Sequence, residues 1–129
     1  MDNLRTYSDE RGTLTVVEGG KDLPFDIARV YWIYGVEQGQ QRGGHANVSS
    51  QQFLVAVSGS VDVCLENADG KKTYHLDSKS KGLLIPPMTW NVLSGFSDDA
   101  VLLVFSSQTY RPETYLNDYY EFKELIKSR

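Results

Sequence analysis

QQFLVAVSGSVDVCLENADGKKTYHL, residues 51–76, reads as strands joined by two short turns. Val, Phe and Tyr crowd the segments on either side of Ser58-Gly59 and Ala68-Asp69-Gly70, and both breaks have the chemistry of hairpin connections. The same signal extends outward in both directions. GTLTVVEGG (12–20) alternates and stops at two glycines, and ARVYWIYGV (28–36) is rich in β-branched and aromatic residues. KGLLIPPMTWNVLSGF (81–96) is a strand interrupted by Pro86-Pro87, while AVLLVFSS (100–107) is an unbroken apolar run of the buried-strand kind. Many short strands at close spacing with glycine turns predict an all-β antiparallel sandwich or barrel over about residues 9–107.

After Arg111-Pro112 the pattern changes. Tyr115, Leu116, Tyr119, Tyr120, Phe122, Leu125 and Ile126 recur close to helical spacing. Pro112 suits a first turn, Glu113 the positive helix end, and Lys127 and Arg129 the negative end. One amphipathic C-terminal helix is expected over about 112–128, laid on the barrel or on a partner subunit. Its tyrosines read as packing rather than binding residues. There is no internal repeat, low-complexity tract or linker, so residues 1–129 are read as one domain.

The 129 residues suffice for a single sizeable core, and 40% hydrophobic with 23% charged residues is an ordinary globular balance. A net charge of −4 argues against a nucleic-acid partner, although a few converging arginines still serve a phosphorylated small molecule. No apolar run approaches a membrane span and the polar start MDNLRTYSDERG has no leader character, so neither membrane nor export is expected. The one cysteine, Cys64, lies in the alternating run SVDVCLE and excludes an intrachain disulfide; it reads as a small packing residue. A cytoplasmic location follows as the expectation.

Between two strand-like runs stands GGHANVSSQQ, residues 43–52, with one of the two histidines. A glycine, a His-x-His-type pair, a residue four further on and a later position past a proline turn resemble the cupin signature, which implies a jelly-roll barrel with these side chains pointing inward. Here the four positions read His45, Asn47, Gln51 and Asn91. Amide oxygens are weak ligands for zinc, iron or copper, and one imidazole does not hold such a metal alone, so no metal is expected. His75, in the alternating KTYHL, belongs to another strand and reads as exposed.

A narrower resemblance covers residues 9–122. Asp9-Glu10-Arg11-Gly12-Thr13-Leu14, Leu23-Pro24-Phe25, Ala28-Arg29-Val30-Tyr31, Arg42-Gly43-Gly44-His45-Ala46 and Gln52-Phe53-Leu54-Val55 occur in an order that looks like the sugar-nucleotide 3,4-ketoisomerase family. Gly82 to Trp90, Ala100 to Ser107 and Tyr115-Leu116-Asn117-Asp118-Tyr119 continue it. The resemblance implies a metal- and cofactor-free cupin homodimer, often with an N-terminal strand exchanged between subunits. It implies a dTDP-linked 4-keto-6-deoxyhexose as substrate, with the keto group moved from C4 to C3. The product then feeds an aminotransferase making 3-amino-3,6-dideoxy sugars for surface polysaccharide or antibiotics.

That chemistry needs a base for the C3 proton, which the C4 ketone acidifies, and donors facing the developing enediolate. His45 matches the first histidine of the family motif Arg-Gly-x-His-Ala-His and is the expected base. The second histidine is replaced by Asn47, and the family's Trp-His reads Trp90-Asn91. One reading has His45 shuttling the proton on one face while Asn47, Asn91 and Tyr31 or Tyr34 polarise the oxygens. The other has the pocket holding a nucleotide sugar with reduced or altered catalysis. Arg42 is the expected phosphate or enediolate partner, and Arg11 and Arg29 reach the diphosphate or pair with surface acids. Gln51 is expected to present hydrogen bonds into the cavity. Trp90 stacks on a base or closes the barrel end. Tyr31 and Ile33 share one strand face and Trp32 and Tyr34 the other; which faces inward stays open.

Overall fold

In the computed structural model, which describes residues 1–127, two five-stranded sheets enclose the core. The first sheet runs β1 (Asp2–Asn3), β9 (Lys81–Ile85), β6 (Gln52–Ser58), β11 (Val101–Ser106) and β4 (Arg29–Tyr34). The second runs β12 (Tyr115–Leu116), β5 (Arg42–Asn47), β10 (Trp90–Ser94), β7 (Val61–Asn67) and β8 (Gly70–Leu76). Neighbouring strands are antiparallel throughout. A separate hairpin, β2 (Thr6–Asp9) with β3 (Gly12–Thr15), and helix α1 (Tyr119–Lys127) complete the chain.

Strand alternation explains the layers. Leu54 and Ala56 of β6 and Leu102 and Val104 of β11 face inward, against Val61, Val63 and Leu93 from the opposite sheet. Phe53 and Val55 face outward, yet they are also buried, because Leu4, Leu23 and Phe25 of the N-terminal segment lie over them. This double burial is the physical reason that β6 and β11 read as near-continuous apolar runs. Each such side chain removed from water contributes about 1.5–3 kcal/mol. Strand β4 closes one edge of its sheet. Tyr31 and Ile33 pack toward the core, while Val30, Trp32 and Tyr34 face out and are exposed, the latter two at 57% and 68%.

The Ala68–Gly70 connection is the expected hairpin, pairing Asn67 with Gly70. Ser58-Gly59 is not. Strands β6 and β7 lie in opposite sheets, so this turn carries the chain across the barrel. Gly59 has φ +64°, and a Cβ there would run into Ser97, Asp99 and Ala100. Local turn chemistry marks a reversal without fixing which sheet the chain enters next.

The expected C-terminal helix over 112–128 begins only at Tyr119. Pro112–Thr114 form a 3-10 turn, and Tyr115–Leu116 are a strand, with Tyr115 opposite Asn47 and Leu116 opposite Ala46. Asp118 supplies the true start, its Oδ1 accepting from the Tyr120 and Glu121 amides at 2.9 and 3.2 Å. Ser128 and Arg129, the latter expected with Lys127 at the negative end, lie outside the described residues. The helix lies on the barrel's own second sheet, burying Phe122 and Ile126 against Ala46 and Trp90. Among the described residues no helix is long and apolar enough to cross a membrane.

Candidate active site

Strands β4 and β5 bring Tyr31 and His45 to a common wall from opposite sheets, and strand β12 closes it with Tyr115. Two spaces adjoin this wall. An outer cavity of about 290 Å³ is lined by Arg29, Tyr31, His45, Tyr110, Tyr115 and Asn117. A deeper chamber of about 70 Å³ is lined by Tyr31, Arg42, His45, Gln52 and Asn91 together with aliphatic side chains of the core. His45 and Tyr31 border both.

The imidazole of His45 lies edge-on to the Tyr115 ring, centroids 4.8 Å apart. Burial, reinforced by the Arg42 charge, holds its pKa below the ordinary 6.5, so it is neutral and able to accept a proton near pH 7. Among the described residues no hydrogen bond occupies either ring nitrogen. Burial pushes the Tyr31 phenol up, as does neighbouring Tyr115; the charges of Arg29 and Arg42 and the adjacent Gln52 amide oppose this without reversing it. Tyr31 therefore stays protonated and can donate. Arg29 is clamped over the Tyr31 ring at 4.6 Å and the Tyr110 ring at 5.3 Å, and its Nη2 donates to the Tyr115 hydroxyl at 3.3 Å. Its Nε is buried without a partner.

Backbone geometry sets these side chains. Register slips by a residue between β5 and β10, with Asn91 opposite His45 but Val92 opposite Gly43. Gly43 has φ +80°, and a Cβ there would stand 2.7 Å from Asn91 Oδ1, so only glycine lets the two strands approach. Asn91 Nδ2 donates to the His45 carbonyl at 3.3 Å, tying the histidine's backbone to β10.

The structure brings together His45, Tyr31, Arg29, Arg42 and Asn91 of the residues expected here, and it places four others elsewhere. Asn47 lines neither space: its Oδ1 accepts from the Ser49 and Ser50 amides at 2.9 and 2.7 Å, and its Nδ2 donates to Thr114 Oγ1 at 3.0 Å. Its polar capacity is committed to the bend after β5. Gln51 precedes β6 and is held by its backbone to Ser107, while Gln52, one residue on, takes the inward face; a one-residue slip flips a strand side chain to the other face. Trp90 belongs to the layer under α1, against Tyr119 and Phe122, and touches neither space. Arg11 pairs with Asp9 at 2.6 Å on the β2–β3 hairpin, its side chain 84% exposed and remote from the barrel interior within this chain.

Tyr110, Tyr115 and Asn117 line the outer cavity although the tail was expected to be packing. Helical spacing hid β12; the usable signal was Asn117-Asp118 followed by Glu121, which marks a helix start past Tyr115. His75 is exposed as expected and pairs with Asp62 at 2.6 Å. One imidazole with amides and phenols is a poor donor set for a first-row metal.

A jelly-roll barrel with a histidine on its inner wall, bordering both an outer cavity and a smaller chamber, defines a cupin-fold protein, one whose relatives are isomerases. Residues 1–127 match the family model described as FdtA: WxcM-like, C-terminal, and the chain belongs to that family. It is 36% identical over 124 residues to the TDP-4-oxo-6-deoxy-alpha-D-glucose-3,4-oxoisomerase of Aneurinibacillus thermoaerophilus, covering 96% of this chain and 89% of that one. It also superposes on QdtA, a sugar 3,4-ketoisomerase of Thermoanaerobacterium thermosaccharolyticum solved with TDP, at TM-score 0.95 and 35% identity, over 98% and 93% of the two chains. A histidine-to-asparagine variant of QdtA, solved with TDP-4-keto-6-deoxyglucose, matches at TM-score 0.95 and 35% identity over 98% and 92%.

Proposed function

We propose that this protein is a sugar-nucleotide 3,4-ketoisomerase that moves the keto group of a TDP-4-keto-6-deoxyhexose from C4 to C3, with His45 as the only imidazole in the site. The observation that carries this reading is the position of His45, neutral and uncommitted, bordering both the outer cavity and the chamber. His45 takes the C3 proton, and the electrons of that bond form the C3–C4 double bond as the C4 carbonyl becomes an enediolate oxygen. The hydroxyl proton passes from the C3 oxygen to the C4 oxygen. His45 then returns its proton to C4, leaving the ketone at C3. Tyr31 donates toward the reacting oxygens, Arg42 supplies positive potential, and Arg29 faces the outer cavity where a diphosphate would lie.

The active unit is proposed to be a homodimer acting in the cytoplasm without a metal or redox cofactor. The exposed β4 face of Val30, Trp32 and Tyr34 and the lone β2–β3 hairpin support the dimer, and the unpaired Cys64 supports a reducing compartment. The 3-keto product is the substrate class for an aminotransferase in 3-amino-3,6-dideoxy sugar synthesis.

A second reading, a barrel that binds the nucleotide sugar with little turnover, is favoured by Asn47 and by the asparagine variant of QdtA that holds TDP-4-keto-6-deoxyglucose. Incubation with TDP-4-keto-6-deoxyglucose and a 3-aminotransferase separates the two. A 3-amino sugar nucleotide is expected; TDP binding without it selects the second reading, and activity gained by Asn47→His would strengthen that choice.

A further inference from the structure

The chamber behind His45 contains a buried amide donor that makes no hydrogen bond of regular geometry and has the Tyr31 phenol beside it. Gln52 opens β6 on its inward face, two residues before Leu54, and is 6% exposed. Its Nε2 is buried with no hydrogen-bond partner. The backbone is held on both sides, opposite Ser106 of β11 and Ile85 of β9, so the side chain is delivered from the interior of a sheet. An unpaired buried amide costs about 1–3 kcal/mol and is uncommon in native interiors. Its presence beside the histidine implies a group that arrives and departs.

We propose that Gln52 is a catalytic residue of the isomerisation, its amide N–H groups donating to the enediolate oxygens at C3 and C4. This rests on the ketoisomerase reading above and adds to it a specific oxyanion donor. Several neighbouring polar groups are already engaged. Asn91 Nδ2 donates to the His45 carbonyl, Asn47 is consumed by the bend after β5, and Arg29 binds Tyr115 at the outer cavity. The Gln52 amide and the adjacent Tyr31 phenol are the neutral donors left over. An amide NH2 carries two donors, which fits two vicinal oxygens that exchange charge as the double bond forms and collapses. The chamber of about 70 Å³ admits about two waters, enough to solvate the amide before the sugar's oxygens replace them. Being neutral, the amide stabilises the anion without competing with His45 for the proton.

The test compares Gln52→Leu and Gln52→Glu with the unaltered chain in turnover of TDP-4-keto-6-deoxyglucose, TDP affinity and melting temperature. Gln52→Leu is expected to lower kcat by about 10²–10³, the usual loss for one oxyanion donor. TDP affinity should stay within about twofold and the melting temperature should not fall, since the deleted donor makes no regular hydrogen bond in the resting fold. Gln52→Glu, which sets an acceptor against the enediolate, should lose at least as much. An active unaltered chain with kcat of Gln52→Leu within about threefold of it would overturn the assignment alone. So would a kcat loss that merely follows falling TDP affinity or melting temperature. An unaltered chain that leaves the keto group at C4 would overturn the ketoisomerase reading and this assignment with it.

Discussion

In the proposed reaction a single imidazole serves first as base and then as acid, so its resting protonation state governs the pH profile. Burial and, after it, the Arg42 charge hold His45 below 6.5. The neutral form is therefore retained as the pH drops to 6.5, and kcat/KM should fall only at lower pH. Arg42→Gln removes the charge and should move that acid limb upward toward 6.5; a limb that stays in place would mean that Arg42 does not act on His45. Asn47 behaves differently from its neighbour two residues away. Asn47→Ala strands the buried Ser50 amide and the Ser49 amide, and a loss of about 1–3 kcal/mol is expected in denaturant unfolding. Asn47→Asp keeps both acceptor contacts, loses the donor to Thr114 and should cost about 0.5–1.5 kcal/mol. Equal stability of Asn47→Ala and the unaltered chain would remove its structural role.

At the scale of elements, the piece that shapes the outer cavity is the run from the 3-10 turn through β12 to α1, and Glu66 holds its far end. The Glu66 carboxylate accepts from the Tyr119 hydroxyl at 2.8 and 2.9 Å and pairs with Lys123 at 2.9 Å. Burial pushes Glu66 up, but Lys123, Tyr119 and Lys71 together carry it below 4.5. A depressed carboxylate stabilises the fold above its unfolded value, and that stabilisation is lost as the pH falls through the folded value. The seating of α1 should thus weaken in acid below about pH 4.5, and Glu66→Gln should remove that pH dependence while costing about 1–2 kcal/mol at neutral pH. Circular dichroism against pH checks both. Much of this architecture was legible beforehand, because half-buried and doubly buried strands leave period-two and continuous apolar patterns. The start of α1 was not, because Tyr115, Leu116 and Tyr119 satisfy helical spacing while lying in a strand and a helix. Nor was the Gln51–Gln52 choice, where two identical residues straddle a strand start and only pairing decides which turns inward. Trp90 was ambiguous for the same reason of face, and β10 turns it toward the helix and Asn91 toward the chamber.

At the scale of the molecule, hairpin β2–β3 and edge strand β4 are left without cover. A two-stranded hairpin is marginally stable alone, and this one exposes Tyr7 and Leu14. In the proposed homodimer these surfaces are covered by a second copy, so Trp32→Glu should shift sedimentation toward monomer; an unshifted dimer would place the interface elsewhere. Arg11, remote from the barrel within its own chain, belongs to that hairpin. The sequence could indicate these exposed surfaces only as alternation in ARVYWIYGV, with neither face marked as inward. The central claim, that His45 moves a keto group along a TDP-linked sugar, is tested most directly by NMR of TDP-4-keto-6-deoxyglucose incubated with the chain and with His45→Ala. The account predicts that the carbonyl carbon shifts from C4 to C3 with the unaltered chain. It predicts a rate at least about 10²-fold lower for His45→Ala, which still binds TDP. A carbonyl that stays at C4 with the unaltered chain, or one that migrates equally fast without His45, would contradict it.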